Sequence, residues 1–218
     1  MIDAVEKHFQ NRGEAPEFLM EMRWIARHLP ADASAVLDMG CGNGSLFPLL
    51  GAERTVGLDY LPEGLDVTRE RFPDTPLICA DASKMPLPDA RFDAVVSQHV
   101  IEHVPDYAAA LREVARVLKP GGIMIMLTPN DLFTDPSVFE DPTHLKIFKP
   151  RELAAVSEQA GLDTVDLRTL GLPHLKDNAP LPGTWRIRRA IIRRADTLAA
   201  LPGLRWQGQT LCLAARKP

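Results

Sequence analysis

The sequence predicts an α/β fold in which a mostly parallel sheet carries helices on both faces, and three observations predict it. Short apolar runs alternate with helix-period segments through most of the chain, the pattern of strands that return through helical crossovers. The run Val36-Leu37-Asp38-Met39-Gly40-Cys41-Gly42-Asn43-Gly44 reads as a buried strand entering a glycine turn that opens a helix. Glycines at alternate positions there permit positive φ and let a ligand lie against the backbone. A second apolar run ends at Asp59, where a doubly wound sheet presents an acid to the hydroxyls of a ribose.

The elements follow in order. Phe18, Met22, Ile25 and Leu29 recur at helical spacing over residues 17–29, and Pro30 ends that helix. Residues 35–39 form the first strand, and residues 45–50 belong to the helix after the glycine turn. Residues 55–58 make the second strand, and Pro62 suits the first turn of a helix running to residue 72. Residues 77–80 and 92–97 are the third and fourth strands. Leu111, Val114, Ala115 and Leu118 share one face of a helix over 107–118, before a fifth strand at 123–127. A helix over 152–160 stops at Gly161, a good residue for a left-handed cap. Residues 164–170 and 210–214 supply the last two strands.

Composition limits what such a sheet can do. With 218 residues, 45% hydrophobic and 25% charged, the chain is expected to be one globular domain over residues 1–218. No apolar run approaches the ~20 residues of a membrane span, and the N-terminus lacks the basic start and apolar core of a signal peptide. A cytoplasmic protein is the expectation. Three cysteines without paired spacing argue against a disulfide scaffold or a structural zinc site. Cys41 and Cys79 read as small buried packing residues.

Residues 1–184 carry 17 basic and 28 acidic side chains, a poor nucleic-acid surface. Residues 185–206 reverse this balance, with six arginines against one acid. Over 185–201, Ile187, Ile191, Ala195 and Leu198 share one helical face, with Arg186, Arg189 and Arg193 on the other. Prolines and glycines at 180–183 and 202–203 set the segment apart. It reads either as a helix lying on its own acidic body or as a lid touching an anionic membrane or a lipid-linked acceptor.

The spacing Asp38-x-Gly-x-Gly-x-Gly differs from the Gly-x-Gly-x-x-Gly of dinucleotide sites, and an acid before the first glycine suits a cationic ligand. This stretch resembles motif I of the class I S-adenosylmethionine-dependent methyltransferases, with Asp59 where their ribose-binding acid sits. Cys79-Ala80-Asp81-Ala82 with Met85-Pro86-Leu87-Pro88 resembles their adenine-binding segment. Phe92–Ser97 with Glu102-His103-Val104, and Leu118-Lys119-Pro120-Gly121-Gly122, resemble the fourth strand with its exit and the turn into the fifth. The small-molecule enzymes of ubiquinone and secondary-metabolite biosynthesis are the similar type.

The resemblance implies a Rossmann-like seven-stranded sheet with an antiparallel C-terminal hairpin edge, here carrying a helical insert over 173–209. It implies S-adenosylmethionine as cofactor and methyl transfer to oxygen or nitrogen of a small-molecule or lipid- or glycan-linked acceptor. The alternative is a catalytically silent protein that binds the same cofactor. On the cofactor side it places Asp38 and Gly40 near the methionyl ammonium, with Gly42 in the same turn. Asp59 falls at the ribose with Tyr60 beside it, Asp81 and Ala82 at the adenine, and Ser97 and Gln98 at the fourth strand's end. As helix caps or turn formers these acids would need no ligand. His99 is a candidate for the wall of the methyl-transfer site and His144 for a general base, an imidazole titrating near ~6.5 being suited to that task. His103 is expected to fix the loop, and Asp93, which precedes an apolar run, to be structural.

His99-Val100-Ile101-Glu102-His103 matches a zinc-peptidase pattern that requires a continuous helix. Here it leaves a strand and stops at Val104-Pro105, so no metal site is expected. Asp131, Asp135, Glu140 and Asp141 read as turn formers in a solvated loop rather than ligands of a divalent ion.

Overall fold

The structure is a computed structural model in which residues 16–131, 136–170 and 208–218 are described. Helix α1 (Pro16–His28) precedes β1 (Val36–Met39), the one-turn α2 (Phe47–Leu50), β2 (Thr55–Asp59), α3 (Pro62–Arg71) and β3 (Leu77–Cys79). Then come β4 (Phe92–Gln98), α4 (Tyr107–Val117), β5 (Leu118–Pro129), the short α5 (Pro136–Glu140), α6 (Pro150–Gln159), β6 (Asp163–Leu170) and β7 (Thr210–Arg216). The seven strands lie in the order β3-β2-β1-β4-β5-β7-β6. β1 to β5 run parallel, and β7 runs antiparallel between β5 and β6.

Side-chain alternation along the strands feeds two layers. On one face Val36, Ala94, Val96, Ile123, Ile125, Leu127, Cys212 and Ala214 pack with Met22, Trp24 and Ile25 of α1. On the other, Leu37, Met39, Val95, Met124, Met126, Leu211 and Leu213 meet Leu111, Val114 and Val117 of α4 and Leu153 of α6. Both faces of the central strands are buried, as a parallel sheet demands. Asp93 closes the amino-terminal end of the sheet. Its carboxylate accepts from Ser34 N at 2.9 Å, Ser34 Oγ at 2.9 Å, Ala35 N at 3.0 Å and Lys119 Nζ at 2.5 Å, so it is structural. Burial alone would raise its pKa, but Lys119 and the Ser34 and Ala35 donors hold it well below the usual carboxylate range.

Three expectations change. The helix after the glycine turn is a single turn, because Gly51 at φ 84° stops it. The Lys119-Pro120-Gly121-Gly122 turn lies inside β5, which pairs Phe92↔Leu118 and then, after a register shift, Ala94↔Ile123. Cys79 is exposed, not packed in the core, because β3 is a three-residue edge strand that ends there. Cys41 is buried as expected. The basic stretch 185–201 and most of the 173–209 insert lie outside the described residues. Among the described residues no helix is long and apolar enough to cross a membrane.

Candidate active site

Parallel strands bring their carboxyl ends to one edge, and the central register aligns them: Asp38 pairs with Gly57 and Val96, and Asp59 with Cys79. Asp38, Gly40, Gly42, Asp59, Asp81, Ser97 and Gln98 are thereby carried to that edge, the usual ligand side of an open α/β sheet.

The glycine turn is built for close approach. Gly40, Gly42 and Gly44 have φ of 80°, 48° and 71°. Gly40 N donates to Leu58 O at 2.7 Å, tying the turn to β2. A Cβ on Gly40 would sit 2.1 Å from Val100 Cγ2, whereas one on Gly42 would meet nothing within 4 Å. Gly40→Ala is therefore expected to destabilise the fold by about 2–5 kcal/mol, the sum of left-handed strain and overpacking. Thermal denaturation should show a fall on the order of 5–15 °C for a chain of this size. Gly40→Ala with Val100→Ala should recover the packing part alone.

Under this turn Asp38 is 1% exposed, and both carboxylate oxygens lack a hydrogen-bond partner. Burial, reinforced by the charge of Asp59, pushes its pKa up to about 8. The same burial and the same two acids push the Cys41 thiol up, so it stays protonated. A raised acid pKa favours the native state below the ordinary value near 3.8 and loses that advantage as pH climbs toward 8. A cationic ligand at Asp38 reverses this by drawing off the proton. Cofactor binding at pH 7 is expected to release close to one proton, read as a binding enthalpy that varies with buffer ionisation enthalpy. Asp38→Asn should abolish that release, and a buffer-independent enthalpy in the native protein would count against a neutral Asp38.

Asp59 clasps the rim of the turn. Its Oδ2 accepts from Gly42 N at 2.7 Å and its Oδ1 from Leu61 N at 2.9 Å. Tyr60 beside it is 71% exposed. Asp81 is exposed and accepts from Ser83 N at 2.8 Å, with Ala82 buried behind it. Ser97 is buried. Gln98 differs from expectation in its engagement: its Nε2 donates to Glu21 Oε2 at 2.6 Å, so the amide is held by α1.

Glu21 is the residue the sequence did not offer. Only 5% exposed, it also takes Thr210 Oγ1 at 2.7 Å and His99 Nε2 at 3.1 Å. Its position between Phe18 and Ile25, on the apolar stripe of α1, was the available signal. His99 has φ 53°, and its Nδ1 stands 3.6 Å from Glu102 Oε1. Burial would lower the His99 pKa, but Glu102 and Glu21 override it and raise it to about 10. An imidazolium has no lone pair for a proton, so His99, held between two acids, is not set up as a base.

The chain leaves β4 through a 3₁₀ turn, Ile101–His103, not the long helix of a zinc peptidase. His103 Nδ1 meets Thr143 O at 3.0 Å, fixing the loop as expected. Leu145 N and Lys146 N donate to Glu102 O at 2.8 and 3.1 Å, drawing His144 onto the same turn. His144 Nδ1 meets Val138 O at 2.6 Å. Of the loop acids, Asp141 acts as a turn former, its Oδ1 accepting from Thr143 N and Oγ1 at 2.9 and 2.7 Å, whereas Asp131 faces Lys149, Oδ2 to Nζ 3.6 Å. Against expectation, Glu102, His103 and His144 come together, one donor atom from each lying within 4.8 Å of the other two.

Comparison with known proteins bears on the family and the fold. A family model described as a methyltransferase domain matches residues 37–126, from β1 into β5. The Mycolicibacterium smegmatis protein named "Probable S-adenosylmethionine-dependent methyltransferase" is 37% identical over 143 residues, 64% of this chain and 55% of that one. The chain thus spans little more than half of that relative's length. A ubiquinone biosynthesis O-methyltransferase of Thiobacillus denitrificans is 32% identical over 171 residues, covering 68% of this chain and 72% of the relative. The crystal structure of a SAM-dependent methyltransferase from Archaeoglobus fulgidus shares the fold, with a TM-score of 0.68, 22% identity and 97% of each chain covered. With its glycine turn, strand-end acids and sheet order in place, the chain belongs to the S-adenosylmethionine-dependent methyltransferase family.

Proposed function

We propose that the protein transfers a methyl group from S-adenosylmethionine to oxygen or nitrogen of a small-molecule or lipid- or glycan-linked acceptor. The observation that carries this reading is Asp38: a buried carboxylate without a donor, under a turn that is open at Gly42, where an added Cβ would meet nothing within 4 Å. Asp38 would hold the methionyl ammonium with the Gly40 and Gly42 backbone, Asp59 the ribose hydroxyls, and Asp81 with Ala82 the adenine. When bound, the cofactor supplies an electrophilic methyl on a sulfonium. The chain's own task is alignment and exclusion of water, which can supply most of the rate without a catalytic dyad. His144, whose Nδ1–H is given to Val138 O, keeps its Nε2 lone pair for the proton of the acceptor.

The insert is read as a lid over the acceptor. Its two ends support this: Pro129 pairs with Thr210 and Thr210 with Leu170, so the chain departs and returns at the carboxyl edge of the sheet. Arg186, Arg189 and Arg193 then engage an anionic acceptor or membrane surface. At about 1 kcal/mol per arginine, replacing all three by Gln should weaken binding to anionic vesicles by about 10²-fold in flotation at low salt. Failure of the native protein to float would remove the membrane role. Formation of S-adenosylhomocysteine across a panel of hydroxyl and amine acceptors tests the reaction itself. Cofactor binding without product from any acceptor would favour the silent cofactor-binding alternative.

A further inference from the structure

The exit of β4 and the loop before α6 place Glu102, His103 and His144 on one small volume from segments some forty residues apart, with ring centroids of the two histidines 4.8 Å apart. The hydrogen bonds around the cluster decide which atoms are available. A carbonyl oxygen only accepts, so Thr143 O and Val138 O fix a proton on Nδ1 of His103 and of His144. The lone pairs of both rings therefore lie on Nε2. An imidazole oriented through its other nitrogen by a backbone carbonyl is the arrangement that prepares a metal ligand. The third member is Glu102, fully buried, with Oε2 taken by Thr128 Oγ1 at 3.0 Å and Oε1 without a hydrogen-bond partner. The His99 ring stands between it and Glu21, Nδ1 3.6 Å from Glu102 Oε1 and Nε2 3.1 Å from Glu21 Oε1. Asp141 adds a further carboxylate, its Oδ2 standing 3.9 Å from His144 Nε2.

We propose that Glu102, His103 and His144 bind one divalent transition-metal ion of the zinc class. Two neutral imidazoles and one carboxylate form a donor set that zinc prefers over magnesium or calcium, which take oxygen ligands. Three protein ligands leave a fourth position open. Ligand atoms about 2.0–2.1 Å from zinc stand roughly 3.4 Å apart, against donor atoms that lie within 4.8 Å of one another here, so binding draws the cluster together. His103 is exposed and His144 is held by a loop, which permits that closure. A solvated cluster of turn-forming side chains would leave Glu102 free to face water, whereas here its carboxylate is buried, with Oε1 receiving no hydrogen bond and only the His99 ring 3.6 Å away. An ion makes His144 a ligand and not a base, a difference that zinc titration reads without any acceptor.

The test is calorimetric titration of tag-free, chelator-stripped full-length protein with zinc chloride, followed by elemental analysis after gel filtration. One zinc per chain is expected, with affinity lowered at least about 100-fold by His103→Ala and by His144→Ala. His103→Ala replaces an exposed side chain and keeps the test valid should the half-buried His144→Ala fail to fold. Retention of less than half an equivalent, or zinc binding unchanged in both histidine variants, would overturn the site.

Discussion

Asp59→Ala is expected to raise the dissociation constant for S-adenosylmethionine by at least about 10²-fold. In the proposed complex the carboxylate accepts two ribose hydroxyls, and two bonds to a charged group at about 1.5 kcal/mol each give about 3 kcal/mol. The structure adds a second source of loss. Asp59 already accepts from Gly42 N and Leu61 N, so it holds the glycine turn against the end of β2 before any ligand arrives. Asp59→Asn separates the two effects, because its amide oxygen can still accept from one backbone donor while the charge is gone. Calorimetric titration of both variants, with melting temperature as the control for folding, checks the expectation. Native affinity in Asp59→Ala would take Asp59 out of the cofactor site.

What the sequence made legible was local. Asp38, Gly40 and Asp59 sit in a strand–turn–helix pattern whose spacing fixes their geometry, and the structure puts them at the sheet edge where that pattern requires. Glu21 was hidden because a carboxylate on an apolar helical stripe looks like a frayed pattern, and its partners lie up to 189 residues away. Cys79 went astray because a three-residue edge strand has too little alternation to say which end is covered. The meeting of His103 with His144 had a subtler obstacle. The pattern His99-x-x-Glu-His points to a pair within one segment, yet the left-handed backbone at His99 turns that ring toward Glu21. His103 finds its partner instead through the loop that hangs on Glu102 O. Long-range contact, rather than composition or periodicity, decides each of these cases.

His144→Ala should lower turnover by about 10²–10⁴-fold while leaving cofactor affinity near its native value. The split follows from position. Asp38, Asp59 and Asp81 lie on β1, β2 and at the exit of β3, whereas His144 reaches the sheet edge from beyond β5, tied to the exit of β4. Removing its ring takes away a lone pair that its Nδ1 bond to Val138 O had oriented, and no described backbone hydrogen bond to Glu102 depends on that ring. His144 N bonds Asp141 O at 3.1 Å and survives the substitution, so the loop should keep its path. A large fall in turnover with an unchanged cofactor titration would place His144 at the acceptor, whether it holds a proton or an ion. Equal losses in both quantities would show instead that the loop had collapsed onto the cofactor site. A fully active His144→Ala variant would return the residue to loop packing and leave alignment by the rest of the site as the source of catalysis.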